Sequence, residues 1–321
     1  MSNKSLKAGG FNAFSMSTYF VLAAIFIVFS FLTPNFLTLS NIYSTLLNGT
    51  PLIIITCAIT FALMTGTFDL SVGATGYAAG CLAGIIMKST DLPVAAAFLL
   101  GILLAVGLGG LNSLQIVKFN MNSMLTTLGM MLIIRGIGKL VTENASILLS
   151  DLGNIRQVKW AALGDFPVII IIAVAIVVVS QVILKWTPFG RNMIAVGCNE
   201  KAARNVGINT NAVRTGALIL TSTISGIGGI FWIITLGSVN TRGLSSYEFL
   251  SIASAVLGGT SLFGGRGDFF PGSFIGALIF LFIANGLSVI GTSPFIIPLI
   301  RGVIIFVAMY ADSLRSNRGL A

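Results

Sequence analysis

The sequence predicts an all-α protein that crosses a membrane about ten times, and three observations predict it. Of 321 residues, 55% are hydrophobic and only 8% are charged, whereas a soluble domain carries about 25% charged residues. Apolar runs approaching the roughly 20 residues that span a bilayer core recur along the chain. Between them lie short glycine-rich breaks, such as GTFDLSVG (66–73) and LGGTSLFGG (257–265). No hydrophilic stretch is long enough to build a second core, so residues 1–321 read as one transmembrane domain.

The spans are placed at 16–33, 50–65, 71–87, 92–112, 121–141, 166–185, 212–236, 246–259, 271–289 and 294–311. The first is preceded by a polar start with Lys4 and Lys7 and shows no small-residue cleavage pattern. An uncleaved helix is therefore expected there. An even number of spans puts both termini on one side, and the excess of Lys and Arg in cytoplasmic loops selects that side. With the N-terminus inside, eleven basic residues fall in inner segments, Lys118, Lys185, Arg191, Lys201, Arg204, Arg214 and Arg266 among them. Only Lys88, Lys139, Arg156, Lys159 and Arg242 fall outside. Both termini are expected to be cytoplasmic.

Several functions are excluded. The formal charge of +9 is scattered through short gaps, so it marks topology and membrane lipid contact, and not a nucleic-acid patch. Histidine is absent, Cys57 and Cys81 lie in apolar runs, and Cys198 has no evident mate. Neither a metal site nor a disulfide framework is expected, and no acid–base set suggests an enzyme. No G-x-x-x-x-G-K-[ST] occurs, so the chain is expected not to hydrolyse ATP itself.

Two hydrophilic segments exceed turn length, an outer one at 142–165 and an inner one at 186–214; segments of that length are usually functional or disordered. Within the inner one, NEKAARNVG reads as a short helix. Asn199 is its N-cap, Glu200 an acid favoured by the helix dipole, and Gly207 its C′ residue. Ala202, Ala203 and Val206 are read on one face, Lys201 and Arg204 on another. So short a helix is unstable alone and must dock, either on its own bundle or on a cytoplasmic partner.

The breaks carry the acids. Asp69 is expected at the inner end of the second and third spans, where the chain reverses with help from Gly66 and Gly73. It either accepts N–H groups at the start of the third span or forms an ion or proton site. Ser245-Ser246-Tyr247-Glu248 reads as a capping box. Gly258, Gly259, Gly264 and Gly265 make the counterpart break after it. Glycines in LGILLAVGLGG and SGIGGI permit close helix crossing. Arg135 and Arg301, both before glycine in the outer third of a span, either snorkel to the outer interface or pair with a docked outer protein.

The inner run TPFGRNMIAVGCNEKAARNVGI resembles the coupling loop of ribose-type permeases of ABC importers. That family shows T-x-F-G-R followed by G-x-N-E-x-A-A-R-x-x-G-I. PNFLTLSNI, GTFDLSVG (with Phe68 for an aliphatic residue), TTLGMMLIIRG and SSYEFLSIASAVLGGTSLFGGRGD are similar to further family segments. One departure stands out. The family has Pro-Phe before Thr126, whereas this chain has Met121-Asn122-Ser123-Met124.

The resemblance implies a permease subunit of an ATP-binding cassette importer in a bacterial inner membrane. ATP and magnesium then belong to a partner ATPase gripping Asn199, Glu200, Lys201, Ala202, Ala203, Arg204 and Gly207. A periplasmic or lipid-anchored sugar-binding protein delivers ribose or another monosaccharide, and a second permease copy, more readily identical than different, completes the channel. Nucleosides and sugar-like signalling molecules are alternative cargoes. Asn48, Asn122, Ser123, Thr126 and Asn240 are chosen as path-lining residues, being uncharged and polar. The rival reading is an ion-coupled secondary transporter, which would bury several ionisable groups near the midplane; no such set is evident here.

Overall fold

In lipid a chain must satisfy its own backbone hydrogen bonds, so apolar runs become helices. The computed structural model describes residues 13–149, 162–163, 166–293 and 295–318. Its helices are α1 (Ala13–Leu32), α2 (Leu39–Met64), α3 (Val72–Ser89), α4 (Val94–Ser113), α5 (Ser123–Val141), α6 (Val168–Trp186), α7 (Pro188–Cys198), α8 (Glu200–Asn205), α9 (Thr210–Leu236), α10 (Tyr247–Leu257), α11 (Phe274–Val289) and α12 (Ile296–Arg318). Four two-residue strands sit in the connections. β1 (Ile147–Leu148) pairs antiparallel with β4 (Ser238–Val239), and β2 (Ala162–Leu163) with β3 (Phe166–Pro167). Most of the outer segment 142–165 lies outside the described residues.

Among the described residues, six helical segments are long and apolar enough to cross a membrane. They are α2, α4 with its continuation to Lys118, α5, α6, α9, and Phe269–Val289, which contains α11. The apolar parts of α1, α10 and α12 are shorter, at Thr18–Leu32, Tyr247–Leu257 and Ile296–Val307, and α3 is diluted by glycine. Pro51, expected at the start of a span, lies inside α2. Proline forfeits one helical bond there; tight packing around the buried residues Gly49–Met64 tolerates it.

At the centre stands α9, packed on α2, α3 and α4. Glycine makes that packing possible. A Cβ on Gly229 would sit 1.7 Å from the Gly76 carbonyl oxygen, and one on Gly80 would sit 2.6 Å from that of Gly229. The α3 and α9 backbones therefore touch. Small aromatic clusters seal the periphery, with Phe26, Phe29, Phe36 and Phe282 joining α1, the turn before α2, and α11.

The first break departs from expectation. The chain does not reverse tightly after α2; residues 67–69 are non-helical and follow the start of α5. Phe68 N–H donates to Ser123 Oγ at 3.3 Å, and Leu70 N–H to Thr127 Oγ1 at 3.0 Å. The start of α3 is thereby displaced from the end of α2 into the bundle. After α9 the chain also turns back inward, so that α10 begins beside α3, where a Cβ on Gly73 would lie 2.5 Å from Glu248 Oε2. Two helix starts meet inside the bundle.

Gly229→Ala should destabilise the solubilised protein by roughly 1–3 kcal/mol, the usual cost of overpacking. Gly107→Ala, with nothing within 4 Å of the added carbon, should leave its stability unchanged or slightly raised. Thermal unfolding midpoints of the two variants in detergent check this.

Candidate functional site

The inner segment is more ordered than its hydrophilicity suggests, for it holds two helices and not one. Thr187 caps α7 by accepting from Gly190 N–H, with Pro188 in the first turn. The Thr-Pro pair was a legible start signal, since Pro at the first helical position costs no bond. Asn199 accepts from Ala202 N–H and so caps α8 at 3.0 Å. Gly207 follows the helix with φ of +86°, the left-handed C′ geometry that glycine adopts freely. Of the face read as apolar, only Ala203 is buried. Ala202 and Val206 join Lys201 and Arg204 on the surface, Val206 at 77% exposure. A six-residue helix cannot bury three residues on a bundle that meets it along one edge.

Glu200 does more than favour the helix dipole. Its Oε1 accepts from Arg204 at 3.0 Å and from Thr210 at 3.3 Å, and its Oε2 from Arg214 at 3.3 Å. Arg214 Nε in turn donates to Thr67 Oγ1 at 3.4 Å. Half-exposed ion pairs of this kind contribute little stability, about 0–1 kcal/mol each. Their effect is geometric: they tie α8, the base of α9 and the first break into one unit.

The second break closes the same unit. Gly265 N–H donates to the Met64 carbonyl at the end of α2, at 3.0 Å. Gly264 and Gly265 have φ of +90° and +71°, and a Cβ on Gly197 of α7 would fall 2.3 Å from Gly265 N. Gly259 also takes positive φ, while Gly258 does not; a Cβ on Gly258 would meet the Gly272 carbonyl at 2.3 Å. The inner segment, the end of α2 and the loop after α10 are therefore in backbone contact. Asp268, at the far end of that loop, has its carboxyl pushed up by burial, against the lowering pull of Gln181 and Lys185.

Asp69 is wholly buried. Its Oδ1 accepts from Ser71 N–H at 2.9 Å and from Ser71 Oγ at 2.6 Å, while Asn112 Nδ2 donates to Ser71 Oγ at 2.8 Å. It thus braces the residue just before α3, and its Oδ2 has no partner.

Two expectations are corrected. The capping box at Ser245–Glu248 does not form. Ser246 precedes α10 in the left-handed region, at φ of 68°, and makes no side-chain cap. Glu248 pairs with Arg135 instead, at 3.3 Å, with side chains 6% and 17% exposed. Arg135 therefore turns into the bundle and does not reach for the outer interface. Its guanidinium also donates to the Gly243 and Leu244 carbonyls, at 3.2 and 3.0 Å. Breaking such a buried pair from one side typically costs about 3–5 kcal/mol. Arg301 is half-buried on α12, and its Nε has no partner.

The residues chosen as path lining do not converge. Asn122 caps α5 by accepting from Leu125 N–H, and Ser123 braces Phe68, so both departures from the family pattern serve local structure. Thr126 is buried, with Oγ1 unpartnered. Asn240 accepts from Arg242 N–H at the opposite end of the bundle, and Asn48 is exposed on α2. A groove between α3, α4 and α5, lined by Leu82, Ile85, Leu104, Leu108, Ile134 and Ile137, is apolar and offers a polar solute no partners.

These features define a multi-pass membrane protein, its helices pierced by breaks, with an ordered segment gathered on one end. The chain belongs to the family described as the branched-chain amino acid transport system / permease component, whose model matches residues 41–311. It is 34% identical over 299 residues to the probable ABC transporter permease protein YphD of Escherichia coli K12, covering 93% of this chain and 89% of that one. It is 36% identical over 298 residues to the ribose import permease protein RbsC of Bacillus subtilis 168, covering 90% of each. The L-arabinose transport system permease protein AraH of Escherichia coli K12 is 31% identical over 302 residues, covering 92% of this chain and 90% of its own. No solved structure matches the chain.

Asn199→Ala should remove about 0.5–2 kcal/mol of capping from α8. Trypsin should then cleave the detergent-purified chain faster at Lys201 and Arg204, while sites elsewhere keep their rates. Timed digestion with mass spectrometry reads the outcome.

Proposed function

We propose that this chain is the membrane subunit of an ATP-binding cassette importer for a small sugar, ribose or a related monosaccharide, delivered by an extracytoplasmic binding protein. The observation that carries the proposal is the α7–α8 unit, which is capped at both starts and tied to two helix breaks, yet leaves Lys201, Ala202, Arg204 and Val206 outward. That surface suits a partner ATPase, which supplies the nucleotide site with its ATP and magnesium. The relatives named ribose and L-arabinose permeases support the sugar. Ten crossings, cytoplasmic termini and a pair of permease copies complete the assembly.

Work enters when the ATPase binds one state of this surface better than the other, since a partner with equal affinity for both shifts nothing. Movement of α7 and α8 is carried by Gly197 against Gly265, and by Glu200 through Arg214 to Thr67. Both breaks are then displaced together. An ion-coupled carrier would need several ionisable groups near the midplane. The described spans bury Arg135 and Glu248 as a pair, and Asp69 in a braced turn.

Reconstituted vesicles should accumulate the sugar only with ATP, the ATPase and the binding protein present together. Uptake by the chain alone under a proton or sodium gradient would replace this reading with a secondary transporter. Glu200→Gln, which weakens the tie to Arg214 without changing size, should lower uptake by at least about fivefold, the low end of usual coupling factors.

A further inference from the structure

The pair Arg135–Glu248 lies at one end of α10, and the inner unit lies at the other. Between them α10 has eleven residues, about 16 Å at 1.5 Å per residue, which is half of a hydrocarbon core of about 30 Å. Its C-terminal end continues without a gap into Gly258–Asp268, the loop seated on α7 and on the end of α2. Its N-terminal end is held from three directions. Arg135 of α5 grips Glu248 and the Gly243 and Leu244 carbonyls just before it. Gly73 of α3 leaves room for the Glu248 carboxylate. Trp232 of α9 fills the space against Gly243, where a Cβ would lie 2.0 Å from its ring.

The lead-in to α10 is backbone that does not hold its shape alone. Leu244 and Ser246 take φ of 51° and 68°, values that side-chain-bearing residues adopt only when their surroundings impose them. Asn240, Arg242, Ser245 and Ser246 on the same stretch are exposed. The stretch thus mixes exposed polar residues with the buried Val239 and Leu244; its first residues pair with β1, and its last are held by the Arg135 guanidinium.

We propose that Arg135 and Glu248 are positioning residues, a latch at the far end of α10 that converts movement of the inner unit into movement of the segment Ser238–Ser246. The proposal rests on the importer reading above. A short rigid helix with one end on the driven unit and the other on a buried ion pair moves as a strut. With the latch intact, displacement at Gly265 is delivered to residues 243–248. With it broken, the head of α10 slips and the segment no longer follows.

Two measurements test this. In vesicles with the ATPase and binding protein, Glu248→Gln and Arg135→Gln should keep ATP hydrolysis near the wild-type rate while uptake per ATP falls at least about fivefold. The double variant should be no worse than either single, because the interaction is already lost. Unchanged uptake, or uptake and hydrolysis falling in equal proportion, would overturn the latch. Wild-type vesicles are the control for the importer reading: uptake independent of ATP would sink that reading and leave the geometry to the second measurement.

The second measurement uses the solubilised chain with Cys198→Ser to remove the exposed thiol and Ser245→Cys as a reporter. Glu248→Gln should speed maleimide labelling of the reporter. The same rate with and without the pair would mean that it does not hold the segment, and the proposal would fail even if the variants do not assemble.

Discussion

Backbone inside a membrane has no water to turn to, and this chain breaks its helices twice within the bundle. Each break strands N–H and C=O groups that cost several kcal/mol if left alone in hydrocarbon. Side chains supply the missing partners. Ser123 and Thr127 of α5 accept from the segment before α3, Asp69 and Ser71 brace its last turn, and Arg135 donates to two carbonyls before α10. The same helix, α5, serves the first break and the lead-in to α10.

The arrangement has a mechanical consequence. Helices crossing on glycine, such as α3 and α9, touch backbone to backbone and resist sliding. The first break and the loop Gly258–Asp268 are where the helices are interrupted. Both reach the inner end, where α7 and α8 contact them through Gly197, Gly265, Glu200 and Arg214. That end therefore meets the two helix interruptions and not the glycine-sealed centre.

Energetic size does not rank these contacts by importance. The Glu200 pairs are half-exposed and contribute little stability, yet they fix where a short helix sits. The Arg135–Glu248 pair is buried, and desolvation consumes most of its attraction. What it supplies is a single geometry for a loop that holds Leu244 and Ser246 in the left-handed region.

Periodicity, caps and glycine spacing made the helices legible in the sequence alone, among them α8 with Asn199 and Gly207 at its ends; the family was legible only through the resemblance of its motifs to those of ribose-type permeases. These features are local: they depend on neighbours a few residues away, or on a bilayer that imposes helix on any long apolar run. The Thr187-Pro188 start of α7 is equally local, although it lies in a hydrophilic stretch. The partners of Arg135 and Glu248 were decided only by tertiary structure. They lie 113 residues apart, and a buried charge chooses whichever opposite charge the packing brings to it, here in preference to the cap that four consecutive residues spelled out. The depth of the first break was likewise set by hydroxyls on α5. Which polar residues face solvent or a neighbour depends on how α2 to α5 close around α9, and no local pattern encodes that closure.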